Sequence, residues 1–173
     1  MFFYGLNMII NNKNWTPPPS FEEKIKELLI PGKLYLNQLK RKHLKKGEDE
    51  LHLLDFFVKE GNEAIDIGAN KGVYSSILAT LASIVHSFEP NPKLFKILKR
   101  RLASNCIGYQ IASSNTSNNQ KLLIPYSQRR KKYSNQGASL SKVKVNGEHG
   151  VIAVQTRTLD SYNFIFFPII KAL

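Results

Sequence analysis

Cysteine is almost missing from this chain: Cys106 stands alone, so no intramolecular disulfide can form, and a reducing, cytoplasmic setting is expected. Long apolar runs are missing too. No stretch approaches the roughly 20 apolar residues of a spanning helix, so no membrane span is expected. His43, His52, His86 and His149 lack the spacing of metal ligands, and the sequence calls for no metal. His86 falls in a predicted buried strand and reads as a core residue, while His149 falls in a loop and reads as structural. The apolar start, Met1 to Ile10, has no basic segment ahead of it and no small-residue cleavage site behind it. It reads as a buried segment, not as a targeting signal.

Acidic residues are scarce in one half only. Residues 1–89 hold 11 basic and 11 acidic side chains, whereas residues 90–173 hold 14 basic and only 2 acidic ones, Glu148 and Asp160. The net charge of +12 therefore belongs entirely to the second half. Such a surface attracts phosphates, but 19 of the 25 basic residues are Lys, which lacks the bidentate fork of Arg. The charge reads as a solvated Lys-rich surface, and nucleic acid is not the expected partner. Hydrophobic residues at 42% suffice for a core, so the chain is expected to fold as one ordinary domain.

The stiff stretch Thr16-Pro17-Pro18-Pro19 leads into a capping box, Ser20-Phe21-Glu22-Glu23. Phe21, Ile25, Leu28 and Leu29 then recur at helical spacing until Pro31-Gly32 stops the helix. A second amphipathic helix is predicted from Asp49 to Lys59, burying Leu51, Leu54 and Val58. Ala64 to Ile67 reads as a short buried strand, Val73 to Ala82 as a helix and Ile84 to Phe88 as a second strand. A third helix is predicted from Pro92 to about Ser104, with Asn91 as N-cap and Pro92 at its first position. A third strand is expected near Ile107 to Ala112. Alternating strands and helices at these spacings argue for a right-handed βαβ unit with a parallel sheet. Beyond it, Leu122 to Ile124, Ala138 to Val145 and Val151 to Thr158 read as extended, the last two joined through Asn146-Gly147. Gln128 to Ser134 reads as an exposed basic loop. Residues 1–47 are expected to form an N-terminal extension with one or two helices, and residues 48–173 the main domain.

The chemistry concentrates in two places. The first strand ends in Asp66 and turns through Gly68-Ala69-Asn70-Lys71-Gly72 into a helix. Glycines there permit a tight turn and close approach of a ligand to backbone, and the helix start offers unpaired amides. The second strand ends in Glu89, 23 residues after Asp66, where an acidic side chain can accept hydrogen bonds from ribose hydroxyls. Together these imply an adenosine-containing ligand. A dinucleotide fingerprint would need Gly at positions 70 and 73, where Asn70 and Val73 stand, and a P-loop would need Ser or Thr after Gly-Lys. By elimination an S-adenosylmethionine (SAM) type of site is preferred.

Asp66-Ile67-Gly68-Ala69-Asn70-x-Gly72-x-Tyr74-Ser75, followed by Phe88-Glu89-Pro90-Asn91-Pro92, resembles the FkbM family of SAM-dependent methyltransferases. Weaker agreement follows in Ala112-Ser113-Ser114, Gly137-Ala138-Ser139-Leu140 and Val154-x-Thr156-x-Thr158-Leu159-Asp160-Ser161-Tyr162. The resemblance implies a class I methyltransferase fold, a Rossmann-like doubly wound α/β sheet, and O-methylation of a small molecule or glycan. It places Asp66, Gly68, Asn70 and Gly72 around the methionine part of SAM and Glu89 on the ribose, with Ala69 also among the cofactor-binding residues. The family's acidic motif after the fourth strand has no counterpart here, since no acidic residue follows Asp160. The sequence therefore reads as a truncated member with an incomplete C-terminal side. Its apolar tail from Asn163 is the candidate for the fourth strand's place, interrupted by Pro168. An unfinished sheet of this kind is expected to favour self-association. No catalytic base can be named, and an inactive remnant and an RNA methyltransferase are the alternatives.

Overall fold

The computed structural model describes residues 15–45, 49–145, 147–162, 164 and 169–171. The apolar first ten residues, and Asn146 of the expected turn, lie outside the described residues.

The amino-terminal helices start where the capping box predicts. Ser20 Oγ accepts from the Glu23 N–H at 3.2 Å, and Glu23 Oε2 accepts from the Ser20 N–H at 2.9 Å. Helix α1 spans Phe21–Leu29 and α2 spans Gly32–Lys45. Glu23 also pairs with Lys93 at 2.8 Å, and Lys40 Nζ donates to the Ser76 carbonyl at 3.0 Å, so both helices are tied to the rest of the fold. Ser20→Ala removes one half of the cap and is expected to cost about 1 kcal/mol. It should speed amide exchange in α1 about fivefold, which hydrogen-exchange measurement at residues 23–29 checks.

The helix expected over residues 49–59 is not continuous. A 3-10 turn at Asp49–His52 precedes a single α turn, α3, at Leu54–Phe57. Leu51, Leu54 and Val58 are nevertheless buried, as expected. Leu51, Leu53, Leu54, Phe56 and Phe57 make this segment apolar around its circumference, so no single stripe enforces one helix, and tertiary packing outweighs propensity.

A four-stranded parallel sheet follows, with strands β1 (Glu63–Ile67), β2 (Ile84–Phe88), β3 (Cys106–Tyr109) and β8 (Ile169–Lys171) in the order β3-β2-β1-β8. β8 lies beside β1, Ile65 opposite Ile169 and Ile67 opposite Lys171. The apolar tail thus takes the place foreseen for a fourth strand, starting one residue after Pro168. Helices α4 (Val73–Leu78) and α5 (Pro92–Lys99) make the crossovers. Both cover the same face. Ser75 of α4 bonds Asp66 and Ser87, and Gly108, paired with Ser87, looks onto Phe95 and Leu102. Leu54, Val58, Ala64, Leu78 and Val85 form the core there. On the opposite face Phe88 stacks on Tyr109 at 4.6 Å, with Tyr162 and Phe164 packed around them.

Two strand expectations need correction. Residues 107–112 do not form one strand: after Tyr109 the chain leaves the parallel sheet, and β4 (Ala112–Ser113) joins a second sheet. That sheet has the order β4-β7-β5-β6, with β5 at Asn119–Ser127, β6 at Lys132–Tyr133 and β7 at His149–Arg157. Among the described residues, 138–145 do not pair with β7 as the hairpin expected through Asn146-Gly147 requires. β7 pairs antiparallel with β5, Leu122 opposite Ile152, because Ile152 and Val154 on β7 complete a core with Leu122 and Ile124. Residues 138–145 offer no such face. Their described pairing is one bridge, Ser139 to Leu123, followed by a 3-10 turn at Lys142–Lys144 that leaves Val143 exposed. The expected loop over 128–134 holds in part: its tip is exposed, but Lys132 and Tyr133 pair with β5. Trp15 packs on Gly150, where a Cβ would lie 2.1 Å from the indole.

Candidate functional site

The ends of β1 and β2 bring the sequence-predicted residues to one place. Gly68, Asn70 and Gly72 all adopt left-handed backbone, with φ of 81°, 51° and 86°. Three such residues in five make a sharply folded turn that side-chain-bearing residues seldom tolerate. The turn is pinned to β2. The amides of Gly68 and Ala69 both donate to the Phe88 carbonyl at 2.9 Å, and the Gly72 amide donates to Ala69 O at 2.8 Å. Gly72 is doubly constrained, since a Cβ there would lie 2.9 Å from Leu98 Cδ1 of α5. Gly72→Ala is expected to destabilise the fold by about 1–2 kcal/mol, strain and crowding acting together. A lowered urea midpoint with an unchanged slope would report it.

Glu89 is buried and does more than stand at a strand end. Its Oε2 accepts from the Asn70 N–H and its Oε1 from the Asn91 N–H, each at 2.8 Å. The carboxylate therefore fastens the loop after β1 to the start of α5. Asn91 continues the chain of contacts: its Oδ1 caps α5 by accepting from the Lys93 N–H at 3.0 Å, and its Nδ2 donates to Asn135 Oδ1 at 3.0 Å.

Asp66 is fully buried. Its Oδ2 accepts from Ser75 Oγ at 2.6 Å, and Ser75 in turn accepts from Ser87 Oγ at 2.9 Å. The other oxygen, Oδ1, has no partner. Burial raises the Asp66 carboxyl to about 6, against the hydrogen bonding from Ser75 that favours its ionised form. Burial likewise raises Glu89 to about 7, opposed by the amides of Asn91 and Asn70 and assisted by the nearby Asp66 charge. Two carboxyls at the ends of neighbouring strands thus carry an electrostatic cost that a cation would relieve.

All six candidate residues, Asp66, Gly68, Ala69, Asn70, Gly72 and Glu89, meet at this carboxyl edge. Sequence reasoning missed the linking role of Glu89, the Ser87–Ser75–Asp66 chain and Asn135. Ser75 stood in the quoted motif, but nothing in the pattern showed that its hydroxyl reaches back to Asp66. His86 is buried between Glu63 Oε2 at 3.1 Å and Tyr109 Oη at 3.0 Å, and His149 Nδ1 lies 2.8 Å from the Gly147 carbonyl. Among the described residues no group of three His, Cys, Asp or Glu is placed to hold a metal, and no helix is long and apolar enough to cross a membrane. An open cavity of about 450 Å³ on the second sheet, lined by Asn118, Gln155, Thr156 and Arg157 among others, shares no residue with the carboxyl-edge site.

A family model described as the methyltransferase FkbM domain matches residues 66–172, beginning at Asp66 itself. The chain belongs to the FkbM methyltransferase domain family. The match takes in the whole glycine turn, Glu89 and both sheets of the FkbM domain from the end of β1 onward. No curated protein matches the chain. Among solved structures, a precorrin 8w decarboxylase from Methanobacterium thermoautotrophicum is similar at 17% identity, with a TM-score of 0.33. The similarity covers 38% of this chain and 39% of that one, so the chain spans about two fifths of that protein.

Proposed function

We propose that this FkbM domain is a SAM-dependent methyltransferase of Rossmann-like class I architecture, acting on a hydroxyl of a small molecule or glycan. The observation that carries the reading is the Asn70–Glu89 link. It joins a left-handed glycine turn to a buried acidic residue at the end of the next parallel strand. The strand order β3-β2-β1-β8, with both crossover helices on one face, supports the architecture. Residues 48–173 would form the methyltransferase domain and residues 1–47 an N-terminal extension.

The residues fit the proposed cofactor. Asp66 Oδ1 is a buried acceptor without a donor, and each Glu89 oxygen accepts one amide and keeps a further lone pair for a ribose hydroxyl. Burial disfavours the ionised form of both carboxyls, a cost that a cationic ligand beside them would offset. Bound SAM supplies a sulfonium methyl for in-line displacement. The chain's part is then to hold and align: Glu89 orients the ribose end, and the turn at 68–72 offers close backbone approach. The RNA alternative would draw on Arg41, Lys42 and Lys45 of α2 and on Arg129 to Lys132, since Lys40 is occupied with the Ser76 carbonyl.

Titration calorimetry with SAM and with S-adenosylhomocysteine tests the reading. Micromolar binding of both, with radiolabel transfer from methyl-labelled SAM to a hydroxylated acceptor pool, is the expected result. No heat at millimolar SAM would instead identify a non-catalytic remnant.

A further inference from the structure

Helix α1 is mounted inside out. Of its charged residues, Glu23 pairs with Lys93 and Lys26 lines the small cleft beside Tyr35, while Glu22 and Lys24 are exposed. Its apolar side faces outward, with Phe21 79%, Leu28 83% and Leu29 70% exposed and Ile25 40%. A helix that packs on its own domain normally does the reverse. The feature is also local. Of the eleven large apolar side chains exposed among the described residues, nine lie between Phe21 and Phe57. Leu28 and Leu29 precede the two-residue joint Ile30-Pro31 and Leu34 follows it, so both helices carry exposed apolar side chains next to the joint. There the character changes to cationic. α2 contains no acidic residue, buries Leu36, and turns Arg41, Lys42 and Lys45 to solvent.

We infer that α1 and α2 together form an interfacial docking surface for an anionic lipid bilayer. Exposed Phe and Leu beside a cationic helix is the arrangement by which helices lie in the headgroup region, and basic residues near an anionic leaflet add attraction. Charge decides the occupant. A second copy of this chain would bring another cationic α2 against the first, whereas an anionic bilayer offers its acyl boundary to the apolar side chains and its headgroups to the cations. The inference is independent of the proposed methyl transfer; it would place that chemistry at a membrane surface.

Vesicle co-sedimentation of the full chain tests it, using phosphatidylcholine vesicles with and without 30–40% phosphatidylglycerol (about the range that gives a strong surface potential). The expected result is binding to the anionic vesicles that drops at least about fivefold in 0.5 M salt, with little binding to neutral ones. The Phe21→Glu, Leu28→Glu double variant should lose about tenfold or more of that binding. Its circular dichroism and thermal melt should be unchanged, because both side chains are exposed. Arg129→Gln with Arg130→Gln, in the basic turn of the second sheet, should leave vesicle binding intact. Three results would overturn the inference: no sedimentation with anionic vesicles, loss of binding in the 129/130 variant but not in the α1 variant, or a concentration-dependent dimer in analytical ultracentrifugation that the α1 variant abolishes.

Discussion

Glu89→Ala should weaken SAM binding by at least about a hundredfold, roughly 3 kcal/mol or more, measured by titration calorimetry. Two losses combine. A charged acceptor for ribose hydroxyls disappears, each such bond being worth about 1.5–3 kcal/mol. The Asn70 and Asn91 amides also lose the carboxylate that holds the turn to α5. Glu89→Gln separates these effects only in part, because its amide nitrogen must face one of two N–H donors. The wild-type pH dependence is a cleaner companion. With Glu89 titrating at about 7 and the ionised form accepting the hydroxyls, affinity should rise about tenfold between pH 6 and pH 8. The Ala variant should show no such rise. A variant that binds within threefold of wild type would reduce Glu89 to a structural clasp and remove the ribose assignment.

Asp66→Asn is expected to stabilise the protein while damaging the site. The Asp66 carboxyl rises from 3.8 to about 6 on folding. At about 1.4 kcal/mol per unit, keeping it ionised in the fold costs up to about 3 kcal/mol. The sign follows from linkage: the folded state holds a proton that the unfolded chain has released, so this group's contribution is full below about pH 4 and is lost as pH rises through about 6. Glu89, raised from 4.5 to about 7, acts in the same direction over a slightly higher window. Wild-type stability should therefore decline from about pH 4 to pH 7. Asn at position 66 removes the charge and can keep the bond from Ser75. A gain of about 2 kcal/mol at pH 8, shrinking toward zero near pH 4, is expected in urea unfolding. Equal stability of the two proteins at pH 8 would show that Asp66 carries no such cost.

The elements with a local cause were legible in the residues. The α1 start follows from Ser20 and Glu23, the α5 start from Asn91 and Pro92, and β1 and β2 from short apolar runs bounded by turns; all four stand where expected. The third helix ends at Lys99, short of the expected Ser104. The larger differences concern pairing at a distance. The strand expected over 107–112 divides between two sheets, and β7 takes β5 instead of residues 138–145. In each case the choice depends on which apolar face completes a core, and that is decided by residues far along the chain.

The same division holds for the site. Sequence by itself determined the chemistry present: Asp66, the glycine turn and Glu89 at a spacing that suits an adenosine ligand, and with them the family. Only the tertiary structure decided what state those groups are in. Burial lifts both carboxyls, the Asn70–Glu89 bond locks the turn to the neighbouring strand, and α1 is turned with its apolar side to the outside. Residue type and short-range spacing carry hydrogen-bonding and conformational preference. Desolvation and the choice of packing face arise from the whole set of surrounding atoms, which no window of the sequence contains.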